Sequence, residues 1–488
     1  MGVGGASPTA GTSCATCLRK FTVHFRRPYK YGEKPRLNGT SYILKYNGEF
    51  GFDWLRDEYI FPVFEINRKM QPALINKNYI SGLKKVYIDG TRKITPWGIE
   101  YIPSHLAIFA TKVKDKNASS KINVDGALLS IELHQVVGDD EVPLQDDGTK
   151  IIFETNEKCI KISTSTGNEK SNRLELPISF FIKNRKKTDL VDQSRWSYST
   201  KNAIRISCEG ATTKGALISV KAIKGNNIFE VGQMSVFAND KVPIAKICFV
   251  DVSFNQNKVQ RPTGTGLEYS LKYESFNQAL IRPKIVRDTI FNIKDMLDKN
   301  KTWDLEGFYN KYYVNQTKNS LGNSIISNTL DDEFKHDLIF LFQKYAKVNG
   351  LINSDSNDVT YVFFTNTQCS YTKNGQIFNR KGSAIFAPEA GSNRKKVWGN
   401  SVVIYHHGAT ELETVVHEIV HSFGLSHVFQ NEKDIPYCFH KGFTDNFMDY
   451  EDTDEDPPKK SLYKGNQIAL FRHQWLLMRN DRSLDYNG

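Results

Sequence analysis

His417, Glu418, His421 and His427 are the residues of this 488-residue chain whose types and spacing can do chemistry together. They lie within the segment His417-Glu418-Ile419-Val420-His421-Ser422-Phe423-Gly424-Leu425-Ser426-His427. Two histidines four apart on a helix share one face, so both imidazoles can reach one metal ion, with Glu418 beside them toward the ion's open position. A turn at Gly424 lets His427 approach the same ion from outside the helix. That gives three nitrogen ligands and leaves a fourth position for water. Zinc held in this way lowers the pKa of its water from about 15.7 to about 7 and polarises a peptide carbonyl. Glu418 is then the general base, taking the water's proton as attack begins and passing it to the leaving amine. One histidine would read as an ordinary residue of an amphipathic helix; three at this spacing, with Glu and Gly in place, do not.

The helix that must carry these groups is supported locally. Thr410 followed by Glu413 reads as a capping box, Val415, Val416, Ile419, Val420 and Phe423 supply apolar packing, and Gly424 can take the left-handed conformation that ends a helix. Other groups compete for the ligand role. His440 or Asp445 could replace His427 as third ligand, though the HxxGxxH spacing argues for His427. His406 and His407 precede the helix and read as loop residues lining the cleft. Cys14 and Cys17 form a lone CxxC, a pattern that binds metal or cycles redox, but its Gly/Ser/Thr-rich surroundings lack a partner pair or a βαβ context, so no functional role is expected, a thiol capping the metal as a latency switch being the alternative.

The segment HEIVHSFGLSH resembles the zinc-binding signature of the metzincin metallopeptidases, HExxHxxGxxH. Asn446-Phe447-Met448-Asp449-Tyr450 lies where metzincins carry their Met-turn, and NFMDY together with HSFGLSHVF is most similar to pappalysin-like members. The resemblance implies Zn2+ as cofactor, His417, His421 and His427 as its ligands, Glu418 as base, and Met448 as the floor of the site. It also implies that Tyr450 swings onto the metal or steadies the transition state. Val402 to Tyr405 is placed like the family's edge strand, which pairs with an extended substrate, and Gln467 to Met478 like its closing helix. Pappalysin-like enzymes usually carry a cysteine soon after the third histidine; Val428 to Asp434 has none, and Cys438 is left to pair with Cys369 or stay free. The resemblance is close over His417 to Tyr450 and loose over the rest of the region from about 243 onward.

Composition bounds the remainder. At 488 residues the chain exceeds one ordinary core, so two to four domains are expected. With 39% hydrophobic and 24% charged residues it reads as globular rather than disordered or fibrous. The net charge of +11 is spread along the chain without a nucleic-acid signature, so no nucleic-acid partner is expected, only attraction to acidic surfaces. No apolar run reaches membrane-spanning length. The first 20 residues hold no apolar core of signal-peptide length, and Ala6 stands where myristoylation wants Ser or Thr, so neither classical export nor that anchor is expected. Seven cysteines are too few and too odd for a disulfide framework.

Read along the chain, residues 1–20 are a flexible leader, and 21–115 form a β-rich module with runs such as Phe21 to Phe25 and Lys85 to Ile88. Residues 116–242 form one or two β-sandwich modules, with strands at Ala127 to Leu133, Ile151 to Phe153, Ala203 to Ile206 and Ala216 to Val220. From 243 strand and helix alternate, with a polar Asn-rich surface insertion at 300–330 and a helix at Asp331 to Val348. The expected fold class is multidomain: β-rich, sandwich-like N-terminal modules followed by an α+β metzincin-like catalytic domain over 243–488. The expected function is a zinc metalloendopeptidase acting on protein or peptide substrates. The alternative is a bacterial effector secreted by a signal-independent route, or a binding or delivery protein. In it the N-terminal modules dominate, contact a secretion apparatus or an acidic surface, and carry the peptidase as payload or in latent form.

Overall fold

Alternation of side chains builds the first half. In the strand Phe21–Arg26, Phe21, Val23 and Phe25 are fully buried, and in Ala127–Gln135 so are Ala127, Leu129, Ile131 and Leu133, side chains that share one face of the sheet, while Leu128, Ser130 and His134 on the other face of the second strand are buried as well. The structure is a computed structural model that describes residues 18–28, 46, 48–111, 126–167, 169–190, 193–255, 257–262, 265–352, 358–373, 375–385, 400–431, 435, 437–455, 459, 463 and 467–487. Cys14, Cys17 and most of the expected leader lie outside the described residues.

One five-stranded sheet runs in the order Phe21–Arg26, Ala127–Gln135, Gln193–Cys208, Arg185–Leu190, with Ile160–Thr164 also paired to Gln193–Cys208. A six-stranded sheet runs Gly51–Asp53, Ser104–Ala107, Asn227–Val236, Ala216–Lys224, Lys150–Glu154, Arg173–Pro177. Between them lies one apolar core in which Phe25, Ile131 and Ile204 meet Leu106, Phe153 and Val220. The β-rich half is thus present. Its expected division at 115 runs through the sheets: Phe21–Arg26 pairs with Ala127–Gln135 and Ser104–Ala107 with Asn227–Val236, so both expected segments share both sheets. Lys85 to Ile88, expected as strand, closes the helix Ile80–Ile88, whose buried Leu83 and Tyr87 are four apart; four residues are too short a window to separate a strand face from a helix face.

The second half is organised by a sheet in the order Arg282–Asn292, Ile244–Ser253, Val359–Thr365, Asn400–Ile404, Gly382–Ile385. The first four strands are parallel and the last is antiparallel. Its middle strands are apolar on both faces, as a parallel sheet covered on both sides requires. Cys248, Val250 and Phe363 point into a core with the helix Asp331–Tyr345, while Ile247, Phe249, Val362 and Ile404 point into another with the helix Leu412–Ser422. Val402 to Tyr405, expected at the sheet edge, belongs to an interior strand paired on both sides, and the edge is Gly382–Ile385. Residues 300–330 are not a polar insertion. They contain the helix Trp303–Tyr309 and a wider helical turn at Asn310–Val314, and bury Leu305, Phe308 and Tyr312. The closing helix is Arg472–Arg479, shorter at its start than expected. Among the described residues no helix is long and apolar enough to cross a membrane.

The two halves share a core. Residues 57–88 leave the sandwich, and Tyr59, Phe64, Leu74, Leu83 and Tyr87 are buried with Val416, Ile419, Met448 and Trp475. A fragment of residues 243–488 therefore lacks part of its own core. Expressed alone, it is expected to keep helical circular dichroism, bind a dye for exposed apolar surface and lose a cooperative denaturant transition. Cooperative unfolding like that of the whole chain would overturn this.

Candidate metal centre

The site begins with the helix Leu412–Ser422, on which His417 and His421 lie one turn apart. Its apolar side, Val415, Val416, Ile419 and Val420, is buried against the sheet, which turns the histidine side outward. The expected capping box is not formed: the helix starts at Leu412 with Glu411 at the N-cap, and the Glu411 carboxylate accepts from Thr414 Oγ1 at 2.7 Å and Lys381 Nζ at 2.8 Å. Gly424, at φ +87°, takes the left-handed conformation past the helix end and lets the chain reverse. His427 then returns to the side of the helix that carries His417 and His421.

The three imidazoles converge through their Nε2 atoms, at 3.3 Å from His417 to His427 and 3.1 Å from His421 to His427. The donor chemistry explains that closeness. His417 Nδ1 lies 3.1 Å from the Phe447 carbonyl and His421 Nδ1 2.5 Å from the Leu425 carbonyl. A carbonyl only accepts, so both Nδ1 atoms carry the proton and both Nε2 atoms present lone pairs. Burial holds His417 down to about 4 and His421 well below its ordinary value, so both are neutral near pH 7. The two lone pairs aimed at His427 Nε2 are met either by a proton on that nitrogen or by a cation held among the three rings. Two nitrogens at about 2.05 Å from a tetrahedral ion are about 3.3 Å apart, which matches the two pairs that include His427. His417, His421 and His427 could hold a metal ion.

Glu418 is half-buried and hangs against the edge strand. The Ala384 N–H donates to it, and a Cβ on Gly382 would come within 2.6 Å of its Cγ. Burial raises its carboxyl to about 7, against the opposing pull of the Arg380 and Lys335 charges. The strand is pinned in turn: buried Lys335 Nζ donates to Ser383 Oγ at 2.6 Å and pairs with Asp331 at 3.1 Å.

The loop after the third histidine supplies the other expected residues. Met448 is fully buried in the core under the helix, and its N–H donates to Asn446 Oδ1 at 2.9 Å. Asn446 is fixed by Gln474 of the closing helix at 2.8 Å, and the Phe447 N–H donates to the Ala469 carbonyl at 2.6 Å. Asp449 accepts from the Gly442 and Thr444 N–H groups and from Thr444 Oγ1 within 2.8 Å. Tyr450 is 39% exposed, with its ring 4.7 Å from that of His427.

Several candidates fall away. Asp445 is buried in a clamp rather than turned to the cluster: Arg27 reaches it at 2.6 Å, Arg56 at 2.9 Å and the Tyr59 hydroxyl at 2.6 Å. His440, His406 and His407 add no nitrogen to the cluster. Cys369 and Cys438 are both buried and free. Sequence reasoning missed Gly382, which only its contact with Glu418 reveals, and Phe429, whose ring stacks on His427 at 4.8 Å. No protein-family model matches the chain, and no curated protein matches it.

The clamp has a pH signature. Burial pushes the Asp445 carboxyl up, but the Arg56 and Arg27 charges outweigh it and hold it below its ordinary value. A carboxyl depressed in the folded chain stabilises it fully above the unfolded pKa of about 3.9, and this stabilisation is lost as pH falls through the folded value. Asp445→Asn is expected to cost about 3–5 kcal/mol at pH 7, with the deficit shrinking as pH drops below about 4. Denaturant titrations across that range check it; a deficit independent of pH would refute the clamp.

Proposed function

We propose that the chain is a zinc-dependent endopeptidase of the metzincin kind, hydrolysing internal peptide bonds of protein substrates. The observation that carries this reading is the convergence of three imidazoles beside a carboxylate that hangs from a sheet edge. Zinc, when bound, supplies a Lewis acid that polarises the substrate carbonyl and acidifies water. His417, His421 and His427 would hold it, and His417 and His421, already neutral, have no proton to shed at neutral pH.

Glu418 stands next to His417 in sequence and is held by the Ala384 N–H, so its carboxylate can take a proton from the attacking water and deliver it to the leaving nitrogen. Burial raises the Tyr450 hydroxyl to about 12, keeping it a neutral donor that can steady the carbonyl oxygen as negative charge develops. Among the described residues nothing pairs with the outer edge of Gly382–Ile385, and an extended peptide can add to it by backbone hydrogen bonds. Arg27 and Arg56 grip the loop that carries Met448 and Tyr450, which supports an N-terminal half that is part of the enzyme over a detachable carrier with a dormant payload.

Metal content and casein cleavage, compared between wild type and Glu418→Gln, test the reading. One zinc per chain in both, with chelator-sensitive cleavage in the wild type alone, is expected; no zinc in the wild type, or equal cleavage by both, would sink it. Gly382→Ala presses a methyl on the base, and is expected to keep the metal while kcat falls roughly 10–100-fold. Unchanged kcat would show that the base is not held by the edge strand.

A further inference from the structure

The three ligand rings are not steered in the same way. His417 and His421 each have a backbone carbonyl at Nδ1, that of Phe447 at 3.1 Å and that of Leu425 at 2.5 Å. Backbone acceptors of this kind survive any side-chain change. His427 lies outside the helix, past the turn at Gly424, and its ring lies flat on Phe429, with centroids 4.8 Å apart and planes at 19°. Tyr450 meets the same imidazole nearly edge-on, at 4.7 Å and 73°. Phe429 and Tyr450 touch each other, at 5.0 Å and 59°. Three rings therefore make mutual contacts, one a ligand and one the proposed oxyanion donor.

The ring between them is well placed to act as a bearing. The backbone at Val428 is fixed from two sides, its N–H donating to the Met448 carbonyl at 3.3 Å and its carbonyl accepting from the Phe439 N–H at 3.1 Å. The Gln430 N–H closes a turn onto the His427 carbonyl at 3.1 Å. Phe429 is half-buried and packs against the main core of this half. It thus leaves a rigid backbone with its face committed to His427, while Tyr450, 39% exposed, keeps room to move.

We infer that Phe429 is a positioning residue, whose ring sets the plane of the His427 imidazole and the resting place of the Tyr450 ring, and so governs how long the site holds its metal. This rests on the peptidase reading above. An aliphatic residue of similar volume keeps the packing but removes the flat face that stacking requires. The His427 ring would then rotate more freely and release the ion sooner.

Co2+ is the probe, because its visible absorption reports ligand geometry independently of activity. Whole-chain wild type, Phe429→Leu, Phe429→Met and Phe429→Tyr are loaded with Co2+, and release to a chelator in excess is timed. The two aliphatic variants are expected to release roughly three- to tenfold faster and to show shifted bands, with metal-free melting temperatures like wild type. Phe429→Tyr is expected to restore both readouts. Having both aliphatic variants keeps the comparison intact if one fails to fold. Wild-type release and bands in a folded aliphatic variant would overturn the inference, as would equal impairment in Phe429→Tyr. Failure of the wild type to take up Co2+ would instead overturn the peptidase reading, and this inference with it.

Discussion

The buried carboxylate of Asp445, gripped by Arg27 and Arg56, is the contact on which the rest of the architecture turns. Each partner comes from the first 60 residues, and the carboxylate belongs to the loop beneath the histidine cluster. A buried ion pair contributes little net stability, because desolvation offsets most of the attraction, yet losing one partner strands an uncompensated charge. Such a contact therefore specifies more than it stabilises. Here the two guanidiniums also lie over the Trp54 ring, at 4.9 and 4.2 Å, and the Tyr59 hydroxyl completes the set. This arrangement places the N-terminal sandwich against the loop.

From that contact the site can be followed outward in short steps. Asp445 precedes Asn446, which is tied to Gln474; Phe447 follows, and its carbonyl orients His417; Met448 fills the core; Asp449 gathers the N–H groups of Gly442 and Thr444. Burial pushes the Asp449 carboxyl up to about 6, a cost tolerated because four hydrogen bonds converge on it. The opposite wall is the edge strand, held through Ser383 by buried Lys335 and Asp331. Glu418 sits where these two systems meet.

What the sequence revealed depended on the range of the interaction. The spacing of His417, His421, Gly424 and His427 is local, and the helix and turn it implies are present. Alternation likewise marked Phe21 to Phe25 and Ala127 to Leu133 as strands. Partner choice was not legible. Nothing in Val402 to Tyr405 says that a strand earlier in the chain, Gly382–Ile385, will take the outer edge. Nothing near Asp445 announces arginines 418 and 389 residues away. Composition misled at 300–330, where many Asn residues masked Phe308 and Tyr312, four apart on one helical face. Thr410 and Glu413 had capping spacing, but the helix begins at Leu412.

The same distinction separates the parts of the site by their tolerance of change. Backbone carbonyls orient His417 and His421, a backbone N–H holds Glu418, and the main-chain turn at Gly424 returns His427. The carbonyls and the N–H exist whatever the side chains are, so those constraints depend on the path of the chain and leave no signature in the sequence, whereas Gly424 marks the turn. Side chains enter at the ring of Phe429, the missing Cβ of Gly382 and the carboxylate of Asp445. Sensitivity to mutation should therefore be uneven around the cluster. Beyond the histidines and Glu418 themselves, it should fall on Phe429, Gly382 and Asp445, because those side chains give a shared backbone frame its orientation.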